Sequence, residues 1–141
     1  MDALIRQTYP VASADYTSAG QASGDIKRRL KKLGIGGDVL RRVSVASYEV
    51  ELNLVIHSLG GELTLSVYPE YVELVSRDVG PGIPDLSLAM REGWSTASDE
   101  ARSLGFGAGM GLPNMKRNAS DFEIKSEVGV GTEITMKFNL A

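Results

Sequence analysis

Apolar residues recur at two different periods along this chain, and each change of period marks an element. Residues Leu4 to Val11 carry β-type residues and stop near Pro10, which predicts an edge strand, because proline has no N–H to donate to a neighbour. Ala19, Ala22, Ile26, Leu30 and Leu33 then follow helical spacing, with Asp15 as the expected N-cap and Gly34 as the C-cap. After Gly36-Gly37, Asp38 is expected to cap a longer helix running to about Ser58, with an apolar surface of Val39, Leu40, Val43, Ala46, Val50, Leu54 and Val55. The period then falls to two. Glu62 to Tyr68 alternates as a half-buried strand, Tyr68-Pro69-Glu70-Tyr71 turns, and Val72 to Arg77 returns as an apolar strand ending on Asp78.

Residues Asp85 to Leu104 hold a short helical candidate, Leu86 to Glu92, then Gly93-Trp94-Ser95-Thr96 and a polar run. A long, weakly patterned, Gly-flanked segment of this kind reads as a mobile lid, with a disordered insertion as the alternative. Gly111 to Asn118 predicts a short helix and Phe122 to Glu127 a strand. Val128-Gly129-Val130-Gly131 turns, and Thr132, Ile134, Met136 and Phe138 share one face of a final strand. Thr132 therefore points inward, and a buried hydroxyl needs a partner. The order of strand, helix, helix, strand, strand, lid, helix, strand, strand predicts an α+β, two-layer sandwich: a mixed sheet with helices on one face, forming a single domain over residues 1–141.

Composition narrows the class. The chain has 141 residues, 43% hydrophobic and 23% charged, enough for one soluble domain with a real core. A net charge of −3 supplies no broad basic face for nucleic acid or an anionic membrane, so neither is an expected partner. Lys27, Arg28, Arg29, Lys31 and Lys32 make the end of the first helix basic. A solvated face suited to the negative end of the helix dipole is preferred there over an anion-binding patch. The absence of cysteine removes disulfides, thiolate metal sites and cysteine nucleophiles. No apolar run approaches the roughly 20 residues needed to span a bilayer, and the N-terminus shows no signal-peptide apolar region, so the expectation is a cytoplasmic protein.

Two glycine-rich stretches carry the candidate chemistry. Asp78-Val79-Gly80-Pro81-Gly82-Ile83-Pro84 places a carboxylate at the mouth of a strand, followed by glycines that permit a tight turn and a close approach. Gly105, Gly107, Gly109 and Gly111 fall on alternate positions before a helical pattern, and successive free N–H groups opening onto a helix N-terminus suit phosphates. No Gly-Lys-Ser/Thr ending is present, and no opening strand of a βαβ unit precedes the loop, so neither a P-loop nor a dinucleotide fingerprint fits. Alone, the loop is as readily a linker. Inside the second helix, Glu49, Asn53 and His57 are spaced by four and form one polar stripe, whose plain reading in isolation is solvent exposure. Glu51 lies on the opposite side and is expected to be exposed.

Taken together, Glu49-x-x-x-Asn53-x-x-x-His57 on a helix, Asp78-x-Gly80-x-Gly82 after a strand, the glycine-rich loop from Gly105 to Gly111, and Gly131-Thr132 opening a last strand resemble the GHKL ATPase superfamily of gyrase, heat-shock chaperone, histidine kinase and mismatch-repair ATPases. Within it the chain is most similar to small anti-sigma-factor serine/threonine kinases of the RsbT and RsbW type, through Asp78 to Asp85, Gly93-Trp-Ser-Thr96 and Gly109-Met-Gly-Leu-Pro-Asn-Met-Lys-Arg117. The resemblance spans nearly the whole chain and implies the Bergerat ATP-binding fold. It implies that Asp78 accepts from the adenine amino group, that Thr132 supports the same base, and that Asn53 holds Mg²⁺ by its carbonyl oxygen. Gly107, Gly109 and Gly111 would present N–H groups to the phosphates, and Gly80, Gly82, Ile83, Gly105, Met110 and Leu112 would complete the ATP site. Glu49 would be the general base toward a Ser or Thr hydroxyl, and His57 a structural or supporting residue.

The function so implied is a Mg-ATP-dependent serine/threonine protein kinase and anti-sigma regulatory factor acting on a STAS-type, anti-anti-sigma-like partner in stress-response signalling. The alternative is an ATP/ADP-gated binding switch that sequesters a sigma factor or activates a phosphatase. Relatives make a homodimer a further expectation. With no separate phosphoacceptor helix or dimerisation bundle in 141 residues, neither a complete sensor histidine kinase nor a gyrase- or chaperone-type machine is expected.

Overall fold

A computed structural model describes residues 3–12, 18–57, 60–80 and 111–140. The element order is β1 (Ile5–Val11), α1 (Gln21–Lys32), α2 (Gly37–His57), β2 (Gly61–Val67), β3 (Tyr71–Asp78), α3 (Gly111–Asn118), β4 (Asp121–Glu127) and β5 (Gly131–Asn139). The strands form one five-stranded sheet in the order β1-β2-β3-β5-β4, with β1 at an edge as its proline requires. Every neighbouring pair is antiparallel, so the sheet is not mixed as the element order suggested. Two helices separate β1 from β2, so the chain goes back and forth once more and the strands return antiparallel. β3 and β4 do run the same way, but β5 inserts between them.

The alternating side chains explain the layering. Leu63, Leu65, Val67, Val72, Leu74, Ile134, Met136 and Phe138 point to one face and form a single core with Ile26 and Leu30 of α1, Val43, Ala46, Val50 and Leu54 of α2, and Leu112 and Met115 of α3. The opposite face carries polar pairs such as Arg6–Ser66, Thr8–Thr64 and Arg77–Glu133. Helices on one face and a polar outer face give the two-layer sandwich read from the sequence.

Helix ends differ from expectation at three places. Helix α1 starts at Gln21 behind Gly20 (φ 100°), which offers no capping side chain; Asp15 lies outside the described residues. The missing cap comes from α2. Glu51, expected to be exposed, is 3% exposed, and its Oε2 and Oε1 accept the N–H groups of Ala22 and Ser23 at 3.2 and 3.0 Å. The first turn of a helix has N–H groups without intrahelical acceptors, and a carboxylate there meets both that need and the positive end of the dipole. Asp38 sits inside the first turn of α2 and pairs with Arg41 instead of capping. At the other end of α1 the C-cap is Leu33, and Gly34 (φ 82°) follows it. Gly34 N–H bonds Lys31 O and Ile35 N–H bonds Leu30 O, the Schellman pattern, with Ile35 packed on the core.

Candidate functional site

Polar residues on the inner face of the sheet gather at one end. Register puts Gly61 of β2 opposite Asp78 of β3, and Ser126 of β4 opposite Thr132 of β5. Asp78 Oδ1 accepts the Thr132 N–H at 2.9 Å, and the Thr132 and Ser126 hydroxyls are 2.9 Å apart. Thr132 therefore faces inward and has the partner its burial demands. Burial pushes the Asp78 carboxyl above its ordinary value, and the Thr132 N–H pulls it partly back. The second carboxylate oxygen of Asp78 makes no hydrogen bond among the described residues and remains available as an acceptor.

This end of the sheet depends on two glycines. A Cβ at Gly131 would run into the Asp78 carbonyl oxygen and lie 3.1 Å from Asp78 Oδ1; one at Gly61 would strike the Arg77 carbonyl oxygen and lie 2.9 Å from Asp78 Cα. Backbone bonds then extend the pairing past Asp78 on both sides, from Val79 N–H to Gly60 O at 3.0 Å and from Gly80 N–H to Val130 O at 3.2 Å. Gly61 reads in sequence only as the end of a helix. Its second role shows once the register sets it against Asp78.

The other cluster lies between α2 and α3. Glu49 is half-buried, and its Oε1 is 3.5 Å from Asn114 Nδ2 of α3. Burial raises the Glu49 carboxyl above its ordinary value, and the Asn114 N–H opposes that rise. Asn53, one turn later, is half-buried, and its carboxamide makes no hydrogen bond among the described residues. An exposed or half-buried amide oxygen without a partner fits a hard cation. Among the described residues no group of three or more Asp, Glu or His could hold a metal alone, so an ion at Asn53 would draw most of its ligands from phosphate oxygens and water. His57 is the last residue of α2, and its side chain lies outside the described set. Asn114 has no role in the motif reading. Its signal is a polar residue between Leu112 and Met115, the two positions that plug α3 into the core.

Gly111 opens α3, and Leu112 is 8% exposed at its base. Gly82, Ile83, Gly105, Gly107, Gly109 and Met110, and the segment from Asp85 to Leu104 read as a lid, lie outside the described residues. A cavity of about 700 Å³ on the α1 side of α2 is lined by Tyr9, Val11, Gly20, Asp25, Glu51 and Val55, among others. Its carboxylates are already engaged, Glu51 by α1 and Asp25 by Tyr9 and Arg29, so the reactive groups lie elsewhere. Among the described residues no helix is long and apolar enough to cross a membrane.

A carboxylate one turn before a free carboxamide on one helix, and an aspartate held by a threonine N–H at a strand mouth, make up the described part of the site. Residues 24–141 match the family model of histidine kinase-, DNA gyrase B- and HSP90-like ATPases. The chain belongs to that ATPase family. The match begins inside α1 and takes in every candidate site residue. Similar relatives include the serine/threonine-protein kinase RsbT of Bacillus subtilis (strain 168), 32% identical over 108 residues, which cover 74% of this chain and 75% of that protein. The anti-sigma F factor of Geobacillus kaustophilus (strain HTA426) is 31% identical over 110 residues, covering 74% of this chain and 72% of its own. That of Geobacillus stearothermophilus is 31% identical over 106 residues, covering 71% and 69%. The family is one of ATPases, so the nucleotide is ATP.

Proposed function

We propose that this chain is a Mg-ATP-dependent serine/threonine protein kinase of the anti-sigma regulatory type, a single cytoplasmic ATP-binding domain that phosphorylates a STAS-type partner in a partner-switching signal. The observation that carries this reading is Glu49: a half-buried carboxylate, raised by burial and, among the described residues, hydrogen-bonded only by an amide, one helical turn before Asn53. The free oxygen of Asp78 accepts from the adenine amino group, and the Thr132–Ser126 pair backs the same base. Gly111, at the start of α3, offers an N–H group to the phosphates, and the sequence motif adds Gly107 and Gly109. Asn53 would hold Mg²⁺, which would screen the phosphate charge. Glu49 orients the acceptor hydroxyl and takes its proton while that oxygen bonds to the γ-phosphorus; the bond from phosphorus to the bridging oxygen breaks, and its electrons leave with ADP.

Phosphoryl transfer tests the reading: purified protein, Mg²⁺ and γ-labelled ATP, with a candidate STAS-domain acceptor, comparing wild type with Glu49→Ala. A labelled acceptor that depends on Glu49 supports the kinase. Transfer that survives Glu49→Ala removes Glu49 as the base.

The two relatives named anti-sigma F factors favour a second reading, in which ATP or ADP occupancy selects a bound sigma factor or phosphatase without useful catalysis. A nucleotide shifts such an equilibrium only if it binds one state more tightly. Partner affinity equal with ATP, with ADP and without nucleotide excludes it.

A further inference from the structure

Asn114 joins two parts of the site that the sequence lists separately. It stands on α3, three residues after Gly111, where the glycine-rich stretch turns into helix. Its Nδ2 is 3.5 Å from Glu49 Oε1, and its Oδ1 accepts from Arg117 Nη2 at 2.9 Å. A guanidinium can only donate, so Arg117 fixes which way the amide faces: the oxygen is occupied, and the NH₂ is left for the carboxylate. The helix beneath is anchored. Leu112 and Met115 are buried, Asn118 Nδ2 donates to Asn114 O at 2.8 Å, and Arg42 Nη1 of α2 donates to Asn118 O at 3.4 Å. An amide on a fixed helix, oriented by its own neighbour, is a well-supported donor. A glutamate with free rotamers gains most from such a contact, because a base is useful only within hydrogen-bond reach of the proton it takes.

We propose that Asn114 is a positioning residue for phosphoryl transfer: from α3, its amide holds the Glu49 carboxylate in place, so that the base keeps one geometry relative to the start of that helix. This rests on the kinase reading above, and its direct partner is Glu49, not the nucleotide. Aspartate at this position would set two carboxylates against each other, and leucine would keep the γ-branched shape and remove the donor.

The test compares wild type with Asn114→Leu and Asn114→Asp. At saturating ATP and acceptor, kcat falls at least tenfold in both, while the KM for ATP and the affinity for a fluorescent ATP analogue stay within twofold and the melting temperature is retained. In a Glu49→Ala background, Asn114→Leu adds nothing. An unchanged kcat, a loss shared equally between kcat and ATP affinity, or an additive loss in the double variant would overturn the proposal. A second measurement stands apart from transfer. The side-chain carboxyl ¹³C resonance of Glu49, assigned through Glu49→Gln, moves in Asn114→Leu if the contact orients it, and an unmoved resonance overturns the proposal even if no acceptor is ever labelled. Absence of transfer in wild type beside a displaced Glu49 resonance sinks the kinase reading and leaves the contact standing.

Discussion

Glu49 and Glu51 are two residues apart on the same helix, and they could hardly be treated more differently. Glu51 is 3% exposed, and both its oxygens accept N–H groups from the first turn of α1. Glu49 is half-buried, and one oxygen meets one amide at 3.5 Å. A rotation of some 200° about the helix axis places one carboxylate against a helix N-terminus and the other against the side of α3. The helix end supplies aligned donors and a positive dipole, so Glu51 is satisfied as a structural staple. Among the described residues Glu49 keeps lone pairs unused, and burial makes its proton easier to hold. Full satisfaction marks structure here, and partial satisfaction leaves Glu49 free for the role of base proposed for it.

The largest effect expected from breaking this contrast is on chemistry. Glu49→Ala should lower phosphoryl transfer by roughly 10²–10⁴-fold, the usual contribution of a positioned base, while the urea unfolding midpoint stays near that of wild type. Glu51→Ala should give the reverse. It strands two buried helix N–H groups and should cost about 2–3 kcal/mol in urea unfolding, with transfer per folded molecule retained. Glu51→Gln should fall between the two, because its amide oxygen can serve one N–H while its NH₂ faces the other. Equal stability losses at positions 49 and 51 would end the distinction.

The contrast also explains what could be read from the sequence. A helical period tells which residues share a side of α2, which was enough for its buried face, and a period of two was enough for the inward row of Thr132, Ile134, Met136 and Phe138 on β5; the bounds of α3 were legible as well. Neither period tells what lies against the remaining sides. Glu51 looked exposed because the start of α1, at a glycine with no side chain to cap it, creates a demand that only tertiary contact can meet. Asn114 and Gly61 escaped for the same reason: one needs the packing of α3 on α2, the other the register of β2 on β3. The sheet looked mixed because insertion of β5 between β3 and β4 leaves no local mark. Gly131 was legible as the opening of the last strand, and its close approach to Asp78 excludes a larger residue there.

Asp78 sharpens the comparison from a strand. Like Glu49 it is half-buried, with one oxygen engaged, and it depends on neighbours that keep out of its way. Gly131→Ala would press a methyl against the Asp78 carbonyl and carboxylate. Overpacking of this kind costs roughly 1–3 kcal/mol, and the displaced carboxylate should weaken ATP binding about tenfold, which titration calorimetry would measure. Gly129→Ala, in the same hairpin at φ 82° but with open space around its Cβ, should strain the backbone and leave ATP affinity intact. Equal loss of affinity in the two variants would mean that backbone strain, not the approach to Asp78, is what matters.

The smallest expected effect belongs to a third kind of carboxylate. Asp25 accepts from Tyr9 and Arg29, and those bonds, with Tyr9 the larger influence, lower its pKa from 3.8 to about 2. Its folded pKa lies below its unfolded one, so the stability it contributes is present above about 4 and is lost as pH falls through about 2. Glu49 and Asp78 shift the other way and lose nothing on acidification. Asp25 is partly exposed, so solvent and salt screen the effect and the loss should be small. Urea midpoints followed from pH 5 to pH 2 should show a step in wild type that Asp25→Asn lacks. Tyr9→Phe should move that step toward pH 4, since it removes the largest influence. A step that stays put in Tyr9→Phe would mean that the arginines hold Asp25 ionised, and that the tie between β1 and α1 is electrostatic and not a tyrosine hydrogen bond.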